Sequence, residues 1–246
     1  MANLKIPRVI KMPIEVQATD ALRDAIVSGS IAAGERVTEI QISQQMNLSR
    51  ATVRTALHQL AKEGLLTLVP YTGWTVISLS AHDVWELYTL RSAVERLAGR
   101  LVASTITPAK IERLDGAMDR LVRECERGDV DRIAEADFGL HHTIIKLADH
   151  GRLAAQYALI EQQVRMLIRS SDAFDPEAQI LKLDQHRPIV DAIRAGDVEL
   201  AGQLSEQHNL VEGEKLSARL KALQEQALLE EPTATLRPAR KRAALG

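Results

Sequence analysis

A chain of 246 residues has room for two ordinary domains, and its 46% hydrophobic but only 3% aromatic composition leaves Leu, Ile, Val and Ala to build their cores. The single cysteine, Cys125, excludes an intrachain disulfide; with no apolar run near the roughly 18–20 residues of a membrane span and no signal-peptide h-region, the expectation is a cytoplasmic protein with no membrane part. The formal charge of −2 does not exclude nucleic acid, because residues 1–78 carry eight Lys/Arg against six Asp/Glu while residues 79–230 carry nineteen against twenty-six, a mildly basic head on an acidic body.

Residues 1–14, with Pro7 and Pro13 among scattered charges, read as a flexible arm. A helix follows from about Glu15 to Ser28, with Val16, Leu22, Ile26 and Val27 turned inward and Gly29 ending it. Ala33-Gly34-Glu35 then turns the chain into a short helix, a tight turn at Met46-Asn47-Leu48, and a second helix opening at Ser49. Asn47 tolerates the left-handed backbone such a turn needs. Ser49 is a good N-cap, since its hydroxyl can accept from the free amides of the first turn. Val53, Leu57 and Leu60 form an apolar stripe at helical spacing, and Arg50, Thr52 and Arg54 sit in the first turns. A recognition helix offers side chains from that end to bases and phosphates, and the planar fork of arginine can grip either with two bonds. A ribbon from Leu65–Val69 to Trp74–Leu79, turning at Tyr71-Thr72-Gly73, completes a winged helix-turn-helix over residues 15–79. Docking on duplex DNA is the expected use; a protein-protein module would share the same skeleton.

From Ser80 onward only helical periodicity appears, divided by stop and start signals. Thr107-Pro108 is a cap followed by proline at the first helical position, and Gly128-Asp129 and Gly196-Asp197 are matching breaks. Gly151 and Asp175-Pro176 supply the others. Six helices result, at about 80–104, 107–127, 129–148, 151–172, 176–195 and 197–225, so residues 80–225 form an all-α bundle. Residues 226–246, with Pro232, Pro238 and Arg240-Lys241-Arg242, read as a disordered basic tail.

Within the bundle, Asp137 and His141 are four residues apart and project from one helix face. His186 lies ten residues before the Gly196 break and His208 twelve after it, so at about 1.5 Å per residue they reach nearly the same depth of an antiparallel pair. Three imidazoles and a carboxylate suit Zn, Ni, Mn or Fe with a position left open, although an Asp/His pair at this spacing is also a simple stabilising pair. His142 points a quarter turn away and reads as structural, and His58, His82 and His150 as surface or packing residues. Arg91 lies among Leu87, Leu90, Val94 and Leu97 with Glu95 one turn on: an internal salt bridge, or a fixed cation for a carboxylate effector. Arg165 and Arg169 read as a solvated face.

With both sets of residues in view, the chain resembles the GntR family of bacterial transcription regulators, in its FCD (FadR C-terminal domain) branch, over about residues 15–222. Ile31-Ala-Ala-Gly-Glu35 is similar to the family turn I/L-x-P-G-E, with Ala33 in place of proline; LSRATVRTAL from Leu48 parallels V-S-R-T-P-V-R-E-A-L, and Glu63-Gly64-Leu65 parallels E-G-L. Asp137-Phe-Gly-Leu-His141 is similar to D-x-x-F-H, with His186 and His208 at the two later histidine positions and Asn209 where leucine is usual. Six bundle helices resemble the VanR-like subgroup.

The resemblance implies a mainly α protein, a winged helix-turn-helix followed by an FCD-like six-helix bundle. Ser49, Arg50, Thr52 and Arg54 are its implied DNA contacts, with Gly73 at the wing tip entering the minor groove. Thr72 stands where many relatives carry arginine, so weak minor-groove readout by the wing is expected. Asp137, His141, His186 and His208 would ligate a divalent metal ion, Zn, Ni or Mn, and Arg91 would bind the effector. Such proteins are homodimers on palindromic double-stranded operators and repress genes of organic-acid catabolism until a small carboxylate binds. Two other readings remain: a metal-responsive repressor, or an enzyme working through the Asp/His cluster. The last lacks a placed general base and leaves the DNA-binding head unexplained.

Overall fold

The computed structural model describes residues 12–170 and 178–230. Most of the expected arm, the Asp175-Pro176 break and the tail beyond residue 230 lie outside the described residues.

The head opens with α1 (Ile14–Val27), which buries Ala18, Thr19, Leu22 and Ile26 and ends at Gly29 with φ +78°. Val16, expected inside, is 41% exposed because it lies on the first turn, beyond the edge of the core. A two-residue strand, β1 (Arg36–Val37), leads into α2 (Glu39–Met46), which starts on a reciprocal capping box between Thr38 and Gln41. Asn47 closes α2 in the left-handed conformation, and α3 (Arg50–Lys62) buries the predicted stripe of Val53, Leu57 and Leu60.

The wing consists of β2 (Leu66–Val69) and β3 (Gly73–Val76), and β1 joins it in a three-stranded antiparallel sheet of order β1-β3-β2. Two residues have no periodicity to read, so β1 leaves no trace in the sequence. Gly73 is not at the tip of the wing. It is the first residue of β3 and pairs with Val69, so the tip is Pro70-Tyr71-Thr72. Its φ of +107° and a Cβ that would stand 2.9 Å from the Val37 carbonyl explain the glycine, which lets β3 press against the end of β1.

The body holds α4 (Ala81–Ser104), α5 (Pro108–Arg127), α6 (Val130–Leu147), α7 (Gly151–Ser170), α8 (Ala178–Arg194) and α9 (Val198–Glu230). The predicted breaks hold: Thr107 caps α5 ahead of Pro108, Gly128 ends it at φ +75°, and Asp129 caps α6. The last helix runs five residues past its expected end, so 226–230 belong to α9 and not to the tail. Ala222 to Glu230 are mostly strong helix formers, and no breaker intervenes before Pro232.

Helices α4 and α9 lie antiparallel, as the pairs Arg96–Glu206 and Arg100–Glu199 and the Ser217 hydroxyl on the Ala81 carbonyl require. They approach closely because a Cβ on Gly99 would stand 2.8 Å from Ser205 Oγ and 3.0 Å from the Ala201 carbonyl. The main bundle core, including Leu114, Leu121, Ile133, Leu140 and Ile193, closes behind this pair. Helix α7 belongs to both domains: Tyr157 is in the bundle core, whereas Met166, 3% exposed, completes the core of the head. Gln163 of the same helix donates to the Glu63 carbonyl at 3.3 Å.

Replacing Gly99 by valine is expected to wedge α4 from α9 and to lower stability by about 1–3 kcal/mol in denaturant unfolding, overpacking outweighing the gain in helix propensity. An unchanged midpoint would show that the pair can separate without cost.

Candidate nucleic-acid interface and metal centre

Ser49 caps α3 in the manner its sequence predicts, its hydroxyl accepting from the Thr52 amide at 3.1 Å. The same hydroxyl lies 3.0 Å from Thr52 Oγ1, so Thr52 is partly occupied with holding the cap. The side chains of Arg50 and Arg54 are 60% and 54% exposed at the open end of the helix. Sequence reading missed their partner. Glu39, in the first turn of α2, accepts both prongs of the Arg54 fork at 2.8 Å each and lies 3.8 Å from Arg50. The Arg54 hydrogen bond outweighs the desolvation of Glu39 and holds its carboxyl below the usual range. A long, mobile cation is thereby fixed before any ligand arrives, which reduces the entropy lost on binding. The only sequence signal was a glutamate just after a capping threonine, a pattern equally consistent with helix-dipole stabilisation.

In the body, His141 on α6, His186 on α8 and His208 on α9 bring one ring nitrogen each within 4.8 Å of the others. His141 Nε2 and His186 Nε2 are 3.1 Å apart, and Asp137 Oδ1 lies 3.1 Å from the same His186 nitrogen. The three histidines therefore meet, and Asp137 joins them through His186. His141 and His186 are 2% exposed. Pro188, inside α8 two residues beyond His186, has no N–H to give the Asp184 carbonyl.

Glu95 orders this cluster. Its Oε1 accepts from Arg91 Nε at 2.7 Å; its Oε2 accepts from Asn209 Nδ2 at 2.9 Å and lies 2.7 Å from His141 Nδ1. Burial drives the Glu95 carboxyl upward, but the Arg91 charge and the His141 and Asn209 hydrogen bonds outweigh it and leave it well below the usual carboxylate range. An anionic Glu95 accepts a hydrogen bond from His141 Nδ1–H, the tautomer that turns the lone pair of His141 onto Nε2. Burial, then the neighbouring imidazoles, pushes His208 well below the ordinary histidine value, so it too is a neutral donor. Lone pairs thus converge on one point with a carboxylate beside them. Three imidazoles from three helices with a carboxylate beside them are the donor set that a divalent cation takes, so the residues fit a metal.

Arg91 is 4% exposed and forms the internal salt bridge with Glu95. Its Nη2 is buried without a hydrogen-bond partner, as are Tyr157 Oη, Asn209 Oδ1 and His208 Nδ1. Tyr157 gave no signal beyond an apolar helical position, because its use depends on which helix faces it.

The remaining histidines have structural partners. His142 Nδ1 is 3.3 Å from Glu161, His58 meets Trp74 edge-on at 4.8 Å, His82 stacks on Trp85, and His150 Nδ1 accepts from the Leu153 amide at the start of α7. The solvated face expected for Arg165 is a correction: its side chain is 18% exposed, bonded to Glu161 and Glu135, and stacked 4.0 Å over Phe138. Arg169 is looser, 3.7–3.8 Å from Asp131 and Glu135.

Replacing Glu39 by alanine is expected to release Arg54 and remove a negative charge from the interface. Affinity for random duplex should rise, its salt dependence should steepen, and the preference for operator over random DNA should fall roughly tenfold. An unaltered preference in anisotropy titrations would show that Glu39 does not position Arg54.

Residues 15–76 match the gntR family of bacterial regulatory proteins, and residues 86–210 match the FCD domain. A relative from Paenarthrobacter nicotinovorans, described as a D-xylose utilization operon transcriptional repressor, is 30% identical over 194 residues, 79% of this chain and 84% of its own. The HTH-type transcriptional repressor RspR of Escherichia coli K12 is 28% identical over 197 residues, 80% of this chain and 86% of its own. A GntR transcriptional regulator from Rhodococcus sp. RHA1 superposes with a TM-score of 0.67 at 26% identity, covering 85% of this chain and 97% of that one. The two domain matches, in this order and on this geometry, place the chain in the GntR family of bacterial regulatory proteins, as a DNA-binding transcription regulator with an FCD domain and not as an enzyme.

Proposed function

We propose that the protein is a homodimeric repressor whose two α3 helices read the half-sites of a palindromic operator about one helical turn apart, and that a small carboxylic acid bound in the FCD domain releases it. The observation that carries the second half is the convergence of three imidazoles from three helices on a point that Glu95 connects to Arg91. Asp137, His141, His186 and His208 would hold a divalent ion, Zn, Ni or Mn. When bound, it supplies a Lewis-acidic charge for a carboxylate. Arg91 Nη2 offers a second, fixed cation to the same group. Tyr157 Oη and Asn209 Oδ1 add an unused donor and an unused acceptor, which favours an acid that also bears a hydroxyl. Repression as the sign of control is supported by the relatives described as repressors.

Coupling needs an element in both domains and a ligand that binds two head arrangements with different affinity. Helix α7 is such an element: Tyr157 feels the charges of Glu95 and Arg91, Glu161 bonds His142, and Met166 and Gln163 reach the head.

Arg54→Ala is expected to weaken binding to the duplex upstream of the protein's own gene by roughly 10–100-fold in a gel shift; unchanged binding removes the recognition-helix assignment. His186→Ala with His208→Ala should abolish stoichiometric metal in elemental analysis and, with it, release of the DNA by hydroxy acids. Metal retained by the double variant overturns the ligand set. Release of the wild-type complex by metal alone, with no acid, would make the protein a metal sensor instead.

A further inference from the structure

The three clustered histidines are not equally enclosed. His141 and His186 are 2% exposed, whereas His208 is partly open to solvent. It is open on one side, where it lines a groove between α8 and α9. Asp184 and Pro188 from α8 and Gln207 and Val211 from α9 line the same groove; all four are exposed and form its rim, and His208 lies deeper. The groove encloses about 210 Å³. An octahedral shell of about six waters, at roughly 30 Å³ each, takes a comparable volume, so a hydrated divalent cation has room there.

The chemistry of the rim suits a cation. Among the described residues that line the groove there is no lysine or arginine, and Asp184 is a carboxylate. Pro188 adds to this: having no N–H, it leaves the Asp184 carbonyl without its helical donor, so Asp184 carries a main-chain and a side-chain oxygen beside the opening. Both kinds of oxygen are ligands that a divalent cation accepts. The gap is preformed, because Gln185 of α8 donates to Glu212 of α9 at 3.2 Å and ties the two walls together. Beyond the rim, His208 Nδ1 is buried without a hydrogen-bond partner.

We propose that the groove between α8 and α9 is the loading route of the metal centre: Asp184 draws in a hydrated divalent cation, which meets His208 before His141 and His186. Exchanging water for protein ligands one at a time avoids stripping the ion in a single step, which desolvation would oppose. Asp184, Gln207 and Val211 therefore act on the rate of metal exchange, and the ligand set sets the affinity. Asp184 is a positioning residue here and is absent from the completed coordination shell.

This inference rests on the proposed metal site, and comparing rates with affinity separates the two. Zn²⁺ is the probe: uptake by the full-length, metal-free protein is followed by stopped flow, release by transfer to excess chromogenic chelator, and Kd by competition. Val211→Trp and Gln207→Trp fill the groove from exposed positions. They are expected to slow uptake and release alike, by on the order of tenfold, and to leave Kd unchanged, because a plug raises one barrier shared by both directions. Asp184→Asn should slow uptake several-fold at low salt and not at high salt, where screening removes the steering charge. Ala218→Trp, in the separate groove between α4 and α9, should leave every rate as it was. Wild-type rates in both groove-filling variants would put the entrance elsewhere and overturn the inference while the metal site stands. A changed Kd with unchanged uptake would make the groove part of the coordination shell and overturn it as well. If the tryptophan variants do not fold, Asp184→Asn decides: uptake that is equally fast at low salt refutes the route. If the wild-type protein takes up no Zn²⁺, the metal site and the inference fall together.

Discussion

A carboxylate taken out of water costs several kcal/mol unless cations and donors surround it, and Glu95, 4% exposed, meets that requirement with partners from three helices. Arg91 comes from its own helix, His141 from α6 and Asn209 from α9. Each partner is positioned by the need to satisfy the charge, so one buried group sets the register of α4, α6 and α9. The close approach of α4 to α9 where Gly99 meets Ser205 and Ala201 lies one helical turn from the Glu95–Asn209 bond and keeps the two helices near each other there. The tautomer of His141, and with it the direction of its lone pair, follows from the same carboxylate.

The head repeats the device in the open. Glu39 fixes Arg54 as Glu95 fixes Arg91, but at a solvent-facing helix end where the cation remains 54% exposed for a partner. In the body the salt bridge leaves one guanidinium nitrogen buried and unbonded. The contrast is one of dielectric: an exposed ion pair is exchangeable with water, whereas an unsatisfied donor in the interior carries its full desolvation cost. Between the two sites runs α7, whose Met166 is core to the head and whose Tyr157 is core to the body. A helix packed into two cores cannot move against one without disturbing the other.

The pattern of the longer elements, the capped helix α3 and the meeting of Asp137 with the three histidines were readable along the chain, because each rests on a local rule: a period, a cap, a breaker, or a depth counted from a turn. Asp137, His141, His186 and His208 could be brought together on paper because a straight antiparallel pair converts residue number into height. The features that escaped depend on which helix faces which. Glu39 carried no sign of its grip on Arg54; Glu95 was readable as the partner of Arg91 but not as that of His141 and Asn209; Arg165 looked like part of a solvated face, and β1 was too short to have a period. Gly73 was placed at the tip because glycine favours turns, yet the structure uses it where β3 passes the Val37 carbonyl, and leaves the strained turn position to Tyr71.

What the sequence alone determined was the order and kind of the longer elements, and which histidines share a depth in the bundle, since helix period and capping are properties of neighbours along the chain. Only the tertiary structure decided which carboxylate orients which cation and imidazole, which polar atoms remain buried and unbonded, and which helix joins the two cores. Those outcomes are set by distance and dielectric between residues as far apart as Glu95 and Asn209, and no local rule contains either quantity.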